Sequence, residues 1–212
     1  MDYREPIQRG LDALALTYTQ QQLDQLQTYL TLLHKWNGAY NLTAVRDPAQ
    51  MIGRHLLDSL AIVPWLRGEH CADVGTGAGL PGIPLAIMFP QRQFELIDSN
   101  GKKIRFVTQA INELNLRNTR ARQCRVEDYR PQQCYDAVTS RAFASLSDMA
   151  RSCSHLLVPG GELLALKGIY PSAELSALPE HYTVDACHPL RVPGEAGERH
   201  LIIIVPQHSA SA

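Results

Sequence analysis

The 212-residue sequence has no apolar run approaching the ~20 residues that cross a bilayer, so no transmembrane helix and no membrane partner are expected. Its first residues, Met1-Asp2-Tyr3-Arg4-Glu5-Pro6, contain no apolar stretch of the kind a secretory signal needs. The five cysteines (71, 124, 134, 153 and 187) are odd in number, scattered, and form no Cys-x-x-Cys pair. That pattern excludes a disulfide framework and a cysteine-rich zinc site, and it fits a reducing cytoplasm with no metal. There is no internal repeat, and only the tail Gln207-His208-Ser209-Ala210-Ser211-Ala212 is expected to lack structure. An excess of charge is missing too, with 20 basic residues against 21 acidic ones.

The distribution of charge is more telling than its sum. Between Gly101 and Arg130 lie Lys102, Lys103, Arg105, Arg117, Arg120, Arg122, Arg125 and Arg130, against only Glu113, Glu127 and Asp128, a net +5. Most basic residues of the chain are arginine, whose planar fork suits phosphate. The segment reads either as a solvated face or as a nucleic-acid contact.

The length allows one sizeable α/β domain with an extension. Residues 1–66 read as a helical extension. Leu23, Leu26, Leu30 and Leu33 recur at three- and four-residue spacing, Tyr29 and Trp36 extend the stripe, and Asn37-Gly38 is expected to stop the helix. A second helix starts with Asp47 as N-cap and Pro48 at its first position and ends at Pro64. From 67 to 212 short apolar runs alternate with helical segments. Strands are expected near 70–74, 93–98, 119–124, 135–140 and 161–167, with helices near 80–88, 101–115, 145–157 and 171–178. Such alternation implies a mostly parallel sheet with both faces covered. Residues 182–187 and 199–205 read as two more strands, making seven. Their connector holds Pro189, Pro193, Gly194 and Gly197 and is too short for a parallel crossover, so this C-terminal pair should be antiparallel.

Asp73-Val74-Gly75-Thr76-Gly77-Ala78-Gly79 marks a passage from strand to helix. Glycines there let a ligand approach the backbone and permit φ > 0. About twenty residues on, Asp98 ends a strand, placed for ribose hydroxyls. Two cofactors fit. Gly77-Ala78-Gly79-Leu80-Pro81-Gly82 also satisfies the dinucleotide pattern, so a nicotinamide-dependent oxidoreductase stands as one reading. Three features favour S-adenosyl-L-methionine. A carboxylate at Asp73 would face a cationic amino-acid moiety but repel a pyrophosphate. The antiparallel C-terminal strand is foreign to a dehydrogenase sheet. Val126-Glu127-Asp128 follows the third strand, where an apolar side chain and an acceptor suit adenine. Arg141 closes the fourth strand and Lys167 the fifth, both at the carboxyl edge where ligands bind in such sheets.

At this point the chain resembles a known family, the bacterial small-subunit ribosomal RNA guanine-N7 methyltransferases (RsmG, also called GidB). The resemblance runs over nearly the whole chain. It includes His34-Lys35-Trp36-Asn37, Tyr40-Asn41-Leu42-Thr43, Arg54-His55-Leu56-Leu57-Asp58-Ser59, the stretch from Asp73 to Pro84, and Leu96-Ile97-Asp98-Ser99. Gly101-Lys102-Lys103, Ser140-Arg141-Ala142-Phe143-Ala144-Ser145-Leu146, Ala165-Leu166-Lys167-Gly168 and Gly197-Glu198-Arg199-His200-Leu201 continue it. It implies a Rossmann-like class I methyltransferase fold, S-adenosyl-L-methionine as donor, and N7 of guanine-527 in 16S rRNA as acceptor. It implies cofactor contacts at Gly75, Leu80, Val126, Glu127 and Arg141, beside Asp73, Gly77 and Asp98 read from the loop itself. Lys102, Lys103 and Lys167 are candidates for RNA phosphates.

Absent motifs agree with this. After the fourth strand there is no Asn/Asp-Pro-Pro-aromatic motif of an exocyclic-amine methylase, and no Pro-Cys setting for a pyrimidine nucleophile. Guanine N7 needs neither, so no catalytic residue is named. The expected partner is 16S rRNA or the 30S subunit, and a monomer is favoured. A non-catalytic ribosome-assembly or RNA-binding module is the remaining alternative.

Overall fold

The computed structural model describes residues 3–141 and 143–207. Ala142 of the Ser-Arg-Ala-Phe block, Met1-Asp2, and 208–212 of the expected unstructured tail lie outside them.

The N-terminal part is helical. Helix α1 (Arg4–Ala13) precedes α2 (Gln20–Tyr40). Thr19 caps α2 reciprocally with Gln22: the Gln22 N–H donates to Thr19 Oγ1 and the Thr19 N–H to Gln22 Oε1. The leucine stripe is buried, as spacing predicted. The stop was misplaced. Asn37 sits inside the helix and spends its amide on the next loop, accepting from the Thr43 N–H at 2.8 Å and donating to the Val45 carbonyl at 3.0 Å. The chain leaves the helix four residues later, at Asn41, in the left-handed region (φ 50°). Asp47 accepts from the Ala49 N–H and starts α3 (Pro48–Met51). The helix then widens into a π-helix (Ile52–Leu57), narrows to α4 (Asp58–Leu60), and gives way to a 3-10 turn at Val63–Trp65 containing Pro64.

Seven strands follow: β1 (His70–Val74), β2 (Gln93–Asp98), β3 (Thr119–Gln123), β4 (Tyr135–Ser140), β5 (Leu157–Lys167), β6 (Tyr182–Pro189) and β7 (His200–Pro206). They form one sheet in the order β3-β2-β1-β4-β5-β7-β6. The first five are parallel, and β7 lies antiparallel between β5 and β6. This is the expected mixed sheet. The order departs from the 3-2-1-4-5-6 of a dinucleotide-binding sheet by the inserted β7. Strand β5 begins four residues before the expected start. In the ladder to β4, Tyr135 pairs with Leu157 and Ala137 with Glu162, so residues 158–161 bulge opposite Asp136 alone.

The helices between strands are α5 (Gly82–Met88), α6 (Gly101–Glu113), α7 (Leu146–Cys153) and α8 (Ser172–Ser176). Two apolar cores flank the sheet. One joins Cys71, Phe94, Leu96 and Leu164 to α1, α2, α5 and α6, so residues before 67 share a core with the sheet. The other packs Val74, Ile97, Val138, Ala165 and Ile202 against α7. Tyr29 of α2 is fully buried, and its hydroxyl donates to the Ala78 carbonyl at 2.8 Å. The N-terminal helices thereby brace the glycine loop. The connection from β3 to β4 carries only the 3-10 turn Val126–Asp128. Glu95 accepts from Arg122 and from the hydroxyls of Tyr129 and Tyr135. Burial would raise the Glu95 pKa, but these three donors outweigh it and hold the carboxylate below its ordinary range.

Candidate functional site

The carboxyl ends of β1, β2 and β4 meet at one edge, and a cleft of about 190 Å³ opens there. Val74, Gly75, Ile97, Asp98, Ser99, Cys124, Arg125, Val126, Glu127 and Phe143 line it. Four of the sequence-predicted residues, Gly75, Asp98, Val126 and Glu127, are therefore brought together. Gly77 joins them through a bond: its N–H donates to Asp98 Oδ2 at 2.9 Å. Asp98 Oδ1 accepts from the Asn100 N–H at 2.8 Å. A carboxylate has about four acceptor positions, so both oxygens retain lone pairs. Gly75 and Gly77 have φ of 69° and 59°, a conformation that glycine adopts without strain. A Cβ at Gly77 would meet nothing nearer than the Gly75 carbonyl at 3.9 Å, so the space beside this backbone is open.

Asp73 lies beneath the loop rather than in the cleft wall. Its Oδ2 accepts from Thr76 Oγ1 at 2.5 Å and from the Gly82 N–H at 2.9 Å, tying the loop to the start of α5. Its Oδ1 is buried without a partner. Burial raises its pKa to about 6, against the opposing pull of Thr76, Gly82 and Arg141. Leu80 is buried in the core beside the N-terminal helices and does not line the cleft.

Arg141 lines a neighbouring cavity of about 310 Å³ with Asp58, Lys167, Arg199 and His200. Its Nη1 lies 3.1 Å from Asp58 Oδ2, and its Nη2 donates to the Arg54 carbonyl at 3.3 Å. Arg199 Nε donates to the other oxygen, Asp58 Oδ1, at 2.9 Å. Lys167 Nζ pairs with Glu174 at 2.8 Å. Lys102 and Lys103 stand in the first turn of α6. Lys102 is exposed, and Lys103 Nζ is 4.0 Å from Asp98 Oδ2.

The sequence expectations give no individual role to Phe143, Asp58 or Arg199, and place Arg125 only within the basic segment 101–130. Phe143, Asp58 and Arg199 lie in blocks that carry the resemblance, but only the fold shows what they face. His55, one turn before Asp58, is buried. Its Nε2 shares a 2.7 Å hydrogen bond with Thr43 Oγ1, and its Nδ1 has no partner. Burial, then the charge of Arg141, lowers its pKa to about 4, so the ring is neutral at pH 7. Among the described residues no three His, Cys, Asp or Glu side chains group as metal ligands would, and no helix is long and apolar enough to cross a membrane.

A glycine loop, an acid at the end of β2 and an antiparallel β7 define the Rossmann-like class I methyltransferase fold. Solved structures with this fold are similar to the chain. They include a ribosomal protein L11 methylase from Lactobacillus delbrueckii subsp. bulgaricus (TM-score 0.53, 16% identity, 72% of this chain and 77% of that one). Another is an S-adenosylmethionine-dependent methyltransferase from Geobacter sulfurreducens in complex with S-adenosyl-L-homocysteine (TM-score 0.54, 10% identity, 84% and 98%). The sequence narrows the class. Residues 22–202 match the family model GidB, rRNA small subunit methyltransferase G, and the chain belongs to that family. Relatives named ribosomal RNA small subunit methyltransferase G are 52% identical in Ectopseudomonas mendocina and 50% identical in Pseudomonas aeruginosa, each over 95% of both chains.

Proposed function

We propose that this chain is a cytoplasmic rRNA methyltransferase that uses S-adenosyl-L-methionine to methylate N7 of guanine-527 in 16S rRNA. The observation that carries the reading is the cleft around Asp98, supported by membership of the family and by the names of the relatives.

The residues fit the nucleoside part of the donor. Asp98 keeps lone pairs for ribose hydroxyls, Ile97 and Val126 offer apolar walls to adenine, and Glu127 supplies an acceptor for its amino group. The cleft's ≈190 Å³ is below the ~300–1,000 Å³ of a pocket for a whole drug-sized ligand. The amino-acid part of the donor therefore extends past Gly75 and Gly77, where no side chain stands in the way. Asp73 and Leu80 act on that path by fixing the loop's shape. Arg141 lines the cavity two residues before cleft-lining Phe143, where its guanidinium serves the donor's carboxylate or an RNA phosphate. Lys102 and Lys103 are the candidates for RNA phosphates on α6, and Lys167 the candidate at the cavity, where Glu174 already holds its Nζ.

When bound, the donor supplies a methyl group activated by a sulfonium. Guanine N7 carries a lone pair and no proton, so the chain needs no general base. What the protein contributes is alignment and exclusion of water, together worth ~7–11 kcal/mol of barrier for well-oriented reactants. No single side chain has to move a proton, and none is assigned as a catalytic residue. The test is methyl incorporation from labelled donor into 30S subunits, free 16S rRNA and tRNA, with the modified position mapped. Label confined to N7 of guanine-527 is expected. Label at another base, or none in either rRNA substrate, overturns the proposal.

A further inference from the structure

The fold brings four charged side chains from distant segments to one cavity, linked to the cleft through Lys167, whose Nζ donates to the carbonyl of cleft-lining Phe143 at 3.3 Å. Asp58 comes from α4, Arg141 follows β4, Lys167 ends β5, and Arg199 precedes β7. The antiparallel direction of β7 is the reason Arg199 arrives here. In the ladder Lys167 pairs with His200, so β7 begins at the edge where β5 ends. A parallel last strand would have delivered its start to the opposite edge.

Asp58 is 4% exposed, and each of its oxygens meets a different guanidinium. A buried carboxylate with two guanidinia leaves the cluster net positive, while the charge of Lys167 alongside is met by Glu174. Neither arginine is consumed by the acid. Arg199 gives Asp58 its Nε and gives the Glu198 carbonyl its Nη1, and its side chain keeps 27% exposure. Arg141 keeps 26%. The segment that presents Asp58 is unusual too. The π-helix over Ile52–Leu57 leads directly into it, and the carbonyl of Arg54 within that turn accepts from Arg141. Isolated π-turns inside α-helices frequently mark functional positions. A carboxylate holding two guanidinia at a fixed separation over an open ≈310 Å³ cavity is a preformed receptor for a tetrahedral anion.

We propose that Asp58 is a positioning residue that sets Arg141 and Arg199 to grip an RNA phosphate beside the target guanine. This rests on the rRNA methyltransferase reading above. It also gives the N-terminal helices a part in RNA recognition, because Asp58 belongs to them and never touches the RNA itself.

The proposal can be tested because geometry and charge predict opposite signs. Removing a negative charge from a phosphate site should, by Coulomb attraction alone, tighten RNA binding. Removing a positioning group should weaken it. In steady-state methylation of 30S subunits, Asp58→Asn is expected to raise KM for the subunit about tenfold or more, with the donor Kd within about twofold of wild type. A lower or unchanged KM, or a loss confined to donor affinity, overturns the assignment. Should Asp58→Asn not fold, Arg199→Lys keeps the charge but loses the fork, and Asp58→Glu keeps the charge but displaces the carboxylate. Both should raise the same KM, and unchanged values overturn the proposal. A wild type that leaves 30S subunits unmethylated overturns this inference and the reading beneath it. A methylating wild type beside a variant with unaltered KM overturns this inference alone.

Discussion

The nucleoside cleft and the Asp58 cluster lie at the same edge of the sheet but are built in opposite ways. The cleft has its shape set by main chain. Its key carboxylate, Asp98, is held by the N–H groups of Gly77 and Asn100, and its loop contains glycines with positive φ. The cluster is all side chain. Asp58, Arg141, Lys167 and Arg199 are separated by up to 141 positions and converge only when β5 and β7 pair. A main-chain site suits a ligand that never varies, because backbone cannot be substituted. A side-chain site of long charged groups suits a flexible polyanion.

The sharpest way to break this contrast is to put a side chain into the main-chain site. Gly77→Val should cut donor affinity about a thousandfold, ~4 kcal/mol, measured by titration calorimetry. The added atoms meet open space rather than protein, so the fold should survive apart from the cost of φ near 59°. Gly77→Ala should act in the same direction but less. Gly82 is a control of another kind. A Cβ there would come within 2.8 Å of Asp73 Oδ2 and Leu96 Cγ, so its substitution damages packing rather than the ligand path. Undiminished donor affinity in a folded Gly77→Val variant would remove the loop from the donor's path.

The second test uses pH to probe the cluster's own support. His55 has a folded pKa near 4 against 6.5 when unfolded, so the folded state favours the neutral ring. Its contribution is present above pH 6.5 and is lost as pH falls through 4, a change of about 3 kcal/mol. Asp73 works the other way in the same window. Its folded pKa of about 6 against 3.8 makes the folded state gain stability as pH falls from 6 toward 4. The two nearly cancel in the wild type, so the effect must be read as a difference. Denaturant unfolding should show wild type losing about 3 kcal/mol relative to His55→Gln between pH 7 and pH 4. A constant difference across that range would place the His55 ring in water.

The same contrast decides what could be read from sequence. Strand, glycine loop, helix and acid are separated by short, regular intervals, so the Asp73–Gly79 loop and Asp98 announce a nucleoside edge without any tertiary knowledge. The antiparallel last strand was also readable, because the Pro- and Gly-containing connector before Arg199 leaves no room for a crossover. Errors came where a local signal was overruled by a distant partner. Asn37-Gly38 looks like a helix stop, yet Asn37 stays helical because its amide binds Thr43 and Val45. Strand β5 starts at Leu157 rather than at 161 because Leu157 pairs with Tyr135 across a bulge, a distant partner that no local signal reveals. Asp58, Arg141 and Arg199 each lie in a block that carries the resemblance, but no periodicity or spacing links 58, 141 and 199 to one another. Arg141 was expected at the sheet edge and is there, but its partner came from a helix that sequence reading had treated as an extension.

A smaller effect tests Asp98 itself. Asp98→Asn keeps the shape and one acceptor oxygen but loses the charge. Donor affinity should fall by ~1–3 kcal/mol, as hydrogen bonds to a charged group become neutral ones. Binding of the RNA alone should not change. A shift smaller than the calorimetric error would mean that the bonds to Gly77 and Asn100 are the carboxylate's whole role, and the nucleoside reading of the cleft would lose its main polar anchor.

The smallest expected change separates the basic surface of α6 from the cluster. Each phosphate neutralised on a nucleic acid releases counterions, so log K falls with log salt by ~0.7–0.9 per contact. Lys102 is exposed and holds no buried acid, so Lys102→Gln should flatten the slope by roughly one contact without altering the preference for rRNA over tRNA. Arg199→Gln should flatten the slope by less, because Asp58 already offsets part of its charge, yet it should cost more affinity because a preset fork is lost. Slope and affinity would then rank the two variants in opposite orders. If Lys102→Gln leaves the slope intact, the net +5 segment is solvated surface, and recognition of the RNA falls to the cluster that Asp58 holds.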